Sequence, residues 1–301
     1  GMADTGLKTP AYGIKSSLDT FFQKSICLLP LNLPPQRSIG RLTLAFNRAG
    51  AATRPEIFYQ EGCLKARMIR AHGPIAEAVL MNISGGIAGG DRLSTSITLA
   101  PGAQACIAAQ AAERVYRALG GTPAQVATHI TVGPGAALHY LPQEAILFDG
   151  FALDRRLEIE LSADTEYLGV EALVFGRLAM GERLASGCLR DRIVLRRDGR
   201  LILSDITRLD GAIADRLAHG ALANGAGAMA SMIFAAPQAL SLLGPVRDAL
   251  ACSGLQAGAS IVDGVLVARL LASDSRALRP AVARILILCR NGQALPAVWQ
   301  S

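Results

Sequence analysis

The stretch Leu99-Ala100-Pro101-Gly102-Ala103 returns in altered form as Val132-Gly133-Pro134-Gly135-Ala136, and more faintly as Leu161-Ser162-Ala163-Asp164-Thr165. A Pro-Gly pair suits the centre of a tight reversal, because proline presets its own φ and glycine accepts the positive φ that follows. Segments of strand character flank each copy. They are Leu93–Leu99 and Gln104–Ala109 at the first, Val126–Val132 and Ala137–Leu141 at the second, and Leu157–Leu161 and Glu166–Val174 at the third. A strand-turn-strand unit that recurs at an interval of roughly 30 residues predicts stacked layers of sheet, each burying its apolar face on the next. The expected fold is mainly β, a β-helix-like scaffold of stacked sheet layers with a helical minority.

Upstream of the repeat, Leu42, Leu44 and Phe46 alternate with Thr43, Ala45 and Asn47, the signature of a half-buried strand. Further strand signals lie at Glu56–Gln60, Leu64–Arg70 and Ile75–Asn82, and downstream at Cys188–Arg196 and Leu201–Arg208. Residues 1–36 hold no sustained period, end in Pro34-Pro35-Gln36, and read as an N-terminal tail, with Gly1 ahead of Met2 as a cleavage remnant. Residues 37–301 form the scaffold domain. Within it Gln110–Ala118 reads as a short charged helix between strands. From about residue 228 the pattern becomes β-α-β-β-α. Its helices fall over Pro237–Cys252 and Ser273–Cys289, with Ser273 or Asp274 as N-cap and Gly254 and Gly292 as stops. Between them Ala259–Val262 and Val265–Leu271 form a hairpin around Asp263-Gly264.

Hydrophobic residues make up 51% of the 301 and charged residues only 18%, with a mean hydropathy of +0.33. The excess is alanine and leucine rather than aromatics, which points to apolar surface kept for a partner chain. No apolar run is long enough to span a membrane, and Ile26–Leu33 is too short and too broken by Pro30 to be a signal sequence. The net charge of +6 does not imply nucleic acid. Lys65, Arg67 and Arg70, like the stretch Arg190–Arg200 with its Asp191 and Asp198, interleave with other residues as on a solvated strand face, and aromatics for base stacking are only 5%. Six cysteines, widely spaced and without a CxxC pair, fit buried reduced thiols of a cytoplasmic protein better than a zinc site or a disulfide framework.

Three groups of residues carry candidate chemistry. Ser84-Gly85-Gly86-Ile87-Ala88-Gly89-Gly90-Asp91 has neither the Lys-Ser/Thr of a phosphate loop nor the spacing of a dinucleotide fingerprint, and it runs into a strand. It is a structural turn or a functional loop carrying Asp91. The histidines are isolated, and no Gly-x-Ser-x-Gly elbow marks a nucleophile. His72 reads as a turn residue, and His129 and His139 as hydrogen-bonded strand residues. The acidic set comprises Glu144, Asp149, Glu171 and Glu182. Carboxylates among apolar residues are costly to bury unless paired, so they either meet Arg177, Arg183 or Arg92 or line a polar, weakly metal-binding path.

Taken in order, these blocks resemble the urease accessory protein family UreD, also called UreH. The likeness runs through Gly40–Phe46, Tyr59-Gln60-Glu61-Gly62, Ser84–Asp91, Gln110–Arg117, Leu141–Gly150, Gly176–Glu182, the Asp263–Arg269 hairpin and Pro296-Ala297-Val298-Trp299. It departs where Ala108-Ala109-Gln110 replaces a usual Thr-Thr-Gln, where Arg114 replaces a lysine, and where His139-Tyr140 replaces a tryptophan. The resemblance implies a non-enzymatic nickel-insertion chaperone. Such a protein binds UreF and, through it, the GTPase UreG, docks on apo-urease, and leaves room for a dimer within the accessory complex. It implies an internal tunnel for nickel, to which Asp91, Glu144, Asp149, Glu171 and Glu182 are carried over as metal-path residues. Nickel would be transient, with no tightly bound cofactor, because carboxylate and water ligands hold divalent ions loosely. An uncharacterised β-fold hydrolase and a purely structural interaction protein stand as alternatives.

Overall fold

The computed structural model describes residues 36–69, 74–177, 181–182 and 184–300; the expected tail as far as residue 35, with Arg70, His72 and Arg183, lies outside the described residues. The chain opens with β1 (Ile39–Ala49), β2 (Ala52–Gly62), β3 (Leu64–Ile69), β4 (Ile75–Asn82), β5 (Arg92–Leu99) and β6 (Gln104–Ala109). There follow β7 (Glu113–Val115), β8 (Ala124–Val132), β9 (Ala137–Leu141), β10 (Ala145–Leu147), β11 (Phe151–Leu161) and β12 (Glu166–Phe175). Next are β13 (Ser186–Arg197), β14 (Arg200–Ala212), α1 (Ile213–Ala218) and β15 (Ala228–Ala235). The chain ends in α2 (Leu243–Ala251), β16 (Gln256–Val262), β17 (Val265–Ala272) and α3 (Ser275–Cys289).

The two Pro-Gly segments and their fainter echo at Leu161–Thr165 are the corners of a β-solenoid. Each joins a strand of one sheet to a strand of the other: β5 to β6, β8 to β9, β11 to β12. The first sheet runs β14-β13-β11-β8-β5-β1-β2 and the second β16-β17-β15-β12-β9-β6-β4-β3. Within the coils the neighbours are parallel, β5 with β8, β8 with β11 and β11 with β13 on one side, β4 with β6, β6 with β9 and β9 with β12 on the other. At the corners Ala103 N donates to Ala100 O and Ala136 N to Gly133 O, both at 3.1 Å, while Gly102 and Gly135 take φ of 71° and 63°. That is a turn with proline at its second position and a left-handed glycine at its third. The corners also stack, Gly102 N on Pro134 O at 2.9 Å and Gly135 N on Asp164 O at 3.1 Å.

The opposite end of each coil is a longer return, at residues 83–91, 110–123 and 142–150, with described residues 176–177, 181–182 and 184–185 at the same end of the next coil. These returns stack as well: Ile87 bridges Val115, β7 pairs with β10, and β10 with the end of β12. Gln110–Ala118 is therefore not the short charged helix expected. Backbone partners on Ile87 and β10 take its N–H and C=O groups before a helix can, with Glu113 N on Glu144 O and Tyr116 N on Ile87 O.

Between the sheets, Leu42, Leu44, Ile97, Ile130, Leu138 and Ile159 form an apolar cluster at the corner end, and Leu93, Val115, Leu147, Phe151, Leu153 and Phe175 form another at the return end. The β-α-β-β-α segment adds β15, β17 and β16 to the edge of the second sheet beyond β12. Its helices cover that sheet's outer face, where Val246, Leu250, Val282 and Ile285 meet Phe234, Leu266 and Leu270. Asp274 caps α3 by accepting from Ala277 N at 2.8 Å, and Asp263-Gly264 turns the hairpin with both φ positive. α2 starts at Leu243 rather than Pro237, and α1 had no signal in the sequence. Among the described residues no helix is long and apolar enough to cross a membrane. The described cysteines are free, but Cys188 and Cys252 are exposed, a correction to the expectation of buried thiols; both sit where the chain passes over the surface.

Candidate functional site

A belt of polar side chains separates the two apolar clusters inside the sandwich. Strand alternation puts it there. On β11 the inward row reads Phe151, Leu153, Arg155, Leu157, Ile159, and on β13 Leu189, Asp191, Ile193, Leu195, so a single charge replaces one apolar residue in each row. Arg155 and Asp191 are register partners. They join in a fork, Nε to Oδ1 at 2.9 Å and Nη2 to Oδ2 at 2.6 Å. Across the interior, Arg155 Nη1 reaches Glu171 of β12 at 2.7 Å and so ties one sheet to the other. Asp191 thus lies 7% exposed, which corrects the reading of the Arg190–Arg200 stretch as a wholly solvated face. Tyr140, Thr128, Thr95 and Ser231 continue the belt, all of them buried.

Burial sets the electrostatics. It pushes the Glu171 carboxyl up to about 7 against the pull of Arg155, with Asp191 pushing the same way as burial. It works against the charged Arg155, but Asp191 and Glu171 more than offset it and raise that pKa above an ordinary arginine's. Burial also lifts the Tyr140 hydroxyl and moves Glu113 up to about 7, although Asn82 Nδ2 donates to Glu113 at 3.2 Å. Two carboxyls that change charge near neutrality therefore face the same interior space.

That space is a cavity of about 320 Å³ that opens among the returns, at Asn82, Gly86, Gln110 and Glu113, and ends inside at Thr128, Tyr140, Arg155 and Glu171. On the far side of Arg155 and Glu171 lies a second cavity of about 10 Å³, lined also by Asp191, Asp205, Thr207 and Ser231. Thr207 and Met229 in turn border an outer cleft of about 680 Å³ between β14 and β17. The three follow the stacking axis of the coils.

Of the five carboxylates singled out in the sequence, Glu171 alone stands in this belt. Asp91 closes the glycine-rich return, its oxygens accepting from Ser38 N at 2.8 Å and Ala88 N at 2.7 Å. Glu144 lies 3.5 Å from Arg279, whose guanidinium also binds Gln143 and the Trp299 carbonyl. Asp149 accepts from Ser186 N at 2.9 Å and pairs with Arg117 at 2.5 Å, contacts that hold its carboxyl below the usual range. Glu182 pairs with Arg177 at 2.8 Å, and that guanidinium packs over the Phe148 ring. Glu144, Asp149, Glu171 and Glu182 each meet an arginine, but only Glu182 meets one of those expected, Arg177, while Asp91 is held by backbone N–H groups alone. Among the described residues no three His, Cys, Asp or Glu side chains gather closely enough to hold a metal ion.

Arg155 carries no sequence motif, Asp191 reads in sequence only as part of a solvated face, and Glu113 only as a member of the Gln110–Arg117 block. The signal was a charge at the inward phase of an alternating strand. Two of the strand histidines are held by neighbouring charges. His129 pairs with Glu158 on the surface. His139 sits beside Ser241 in a separate cavity, but Glu166 takes one ring nitrogen at 2.8 Å and Arg290 the other at 2.5 Å. An imidazole whose nitrogens are both engaged cannot take a proton from a serine.

With this geometry in view, the comparisons with known proteins agree with one another. The family model described as UreD urease accessory protein matches residues 38–300. A urease accessory protein UreD of Rhizobium leguminosarum bv. trifolii is 42% identical over 265 residues, covering 88% of this chain and 96% of the relative. One of Dinoroseobacter shibae is 44% identical over 266 residues, covering 88% and 93%. One of a Methylobacterium species is 44% identical over 272 residues, covering 88% and 96%.

Proposed function

The chain belongs to the UreD family of urease accessory proteins, and on that premise we propose that it serves urease maturation as a cytoplasmic, non-catalytic nickel chaperone. In this reading it binds UreF, through UreF the GTPase UreG, and the complex docks on apo-urease. Nickel is its cargo, not a resident cofactor, and crosses the interior between the sheets. The observation that carries the reading is the line of cavities meeting at Arg155 and Glu171. Oxygen ligands suit transit. Carboxylates, hydroxyls and water hold a divalent ion loosely, whereas clustered imidazole or thiolate would retain it. A carboxyl poised near 7, as Glu171 is, alternates between a charged form that attracts the ion and a neutral form that releases it. Asp91, Glu144, Asp149 and Glu182 brace the returns through backbone hydrogen bonds and arginine pairs, and none of them lines the cavity.

Glu171→Gln, nearly isosteric and uncharged, tests this. In cells expressing urease with its accessory proteins, the variant should assemble normally but lower the nickel content of urease several-fold. Full nickel loading with Glu171→Gln would sink the interior route.

A further inference from the structure

The outer faces of the two sheets differ. Helices α2 and α3 cover that of the second sheet, whereas no described element covers that of the first. Alternation turns every second residue of the first sheet to this bare side, and pairing aligns those residues in rows across the strands. One row holds Arg208 of β14, Arg190 of β13, Asp154 of β11 and Arg92 of β5. The next holds Arg192 of β13, Arg156 of β11 and Arg41 of β1. From β14 to β1 the two rows thus set six arginines against one carboxylate.

That arrangement is unfavourable for the protein alone. Arg190 is the register partner of Arg208 and Arg192 that of Arg156, and like charges set opposite one another on a sheet repel. Little offsets them. Asp154 lies 3.8 Å from Arg190, and Glu158 of the adjoining row 4.0 Å from Arg156. Asp210, Glu160 and Glu61 surround the rows, but among the described residues Arg208, Arg192, Arg92 and Arg41 form no ion pair. All six arginines are exposed except the half-buried Arg192. At β14 the face turns apolar. Ile206, 55% exposed, stands beside Arg192, and with Arg208 it borders the outer cleft of about 680 Å³. Leu222, on the same cleft, is also 55% exposed, and the described lining holds no carboxylate.

We propose that this face docks a partner protein whose surface presents carboxylates beside an apolar ridge. Carboxylates set against Arg190, Arg192 and Arg208 relieve the repulsion among them, and the ridge enters the cleft. Nucleic acid fits less well, because neither row holds an aromatic ring for stacking and an apolar cleft offers a phosphate backbone no gain. The site lies outside the sheets, so it stands whether or not nickel passes between them.

The full chain tests this as wild type, as Arg190→Glu/Arg192→Glu/Arg208→Glu, and as a control reversed at exposed arginines elsewhere, Arg67→Glu/Arg276→Glu. The probes are purified UreF, UreG and apo-urease, each measured separately for its Kd at low and high salt. At least one should bind wild type and control alike, weaken as salt rises, and bind the triple reversal about tenfold or more weakly. All three proteins should melt together, since exposed charges leave the core untouched. Affinities unchanged by the triple reversal, or lowered equally by the control, overturn the inference. So does a loss confined to a single-stranded oligonucleotide measured alongside. If wild type binds none of the three probes, the docking reading above fails on its own account. The inference is then decided with a designed helix bearing glutamates on one side and leucines on the other: equal binding to wild type and triple reversal overturns it, and a loss confined to the triple reversal supports it.

Discussion

At the corner end of each coil the chain reverses within a Pro-Gly turn, and the interior beneath is apolar, from Ile97 and Ile130 to Leu161. At the return end it takes a long irregular path, ties its loops with Asp91, Asp149 and Glu182, and encloses a cavity with two carboxyls poised near 7. Two of the corners repeat the same Pro-Gly chemistry and stack on the next, whereas the returns differ from one another. Regularity at one end supplies the rigid frame from which the irregular end can hold charges that would not be tolerated in a core of its own.

The sharpest break in that comparison is Asp191→Ala, which leaves Arg155 buried without its fork. Loss of one member of a buried pair costs about 3–5 kcal/mol, to be read from urea unfolding; a loss below about 1 kcal/mol would mean water already screens the belt. At the corner end, Ile130→Ala should cost about 2–4 kcal/mol by cavity formation, yet leave nickel delivery per folded molecule unchanged. Reduced delivery per folded molecule would show that the corners are not merely a frame.

Asp91→Ala strips two backbone N–H groups of their acceptor and should cost about 1–3 kcal/mol, with Asp91→Asn recovering part of it. The smallest effect is on pH dependence. Glu113 binds its proton more tightly folded than unfolded, so its contribution is present at acid pH and is lost as pH rises from about 4.5 toward 7. Glu113→Gln should flatten the stability profile across that window by about 1–2 kcal/mol. An unchanged profile would place the Glu113 carboxyl in contact with bulk water.

The coil was legible because its determinants are local. Pro101-Gly102 and Pro134-Gly135 specify their turns without reference to anything distant, and the alternation of Leu42, Leu44 and Phe46 needs no partner to be read. The same holds for Asp263-Gly264 and for the Asp274 cap. Parallel pairing is different, since β7 exists only because Ile87 and β10 lie beside it, and the charged stretch Gln110–Ala118 that contains it reads as a short helix in sequence. The site was harder still. Glu171 was picked out as a carboxylate among apolar residues, but Arg155 and Asp191 are ordinary on a strand until the inward phase is known, and that phase is set by the opposite sheet.

One consequence of the stacking is a matter of length. Neighbouring strands in a sheet lie about 4.8 Å apart, so the distance between the mouth near β5 and the belt at β11 is fixed by the number of coils between them, about 10 Å. Duplicating or deleting one strand-corner-strand-return unit would lengthen or shorten that distance by one strand spacing. The molecule is in that sense a ruler, and its span can be reset in whole coils but not in fractions.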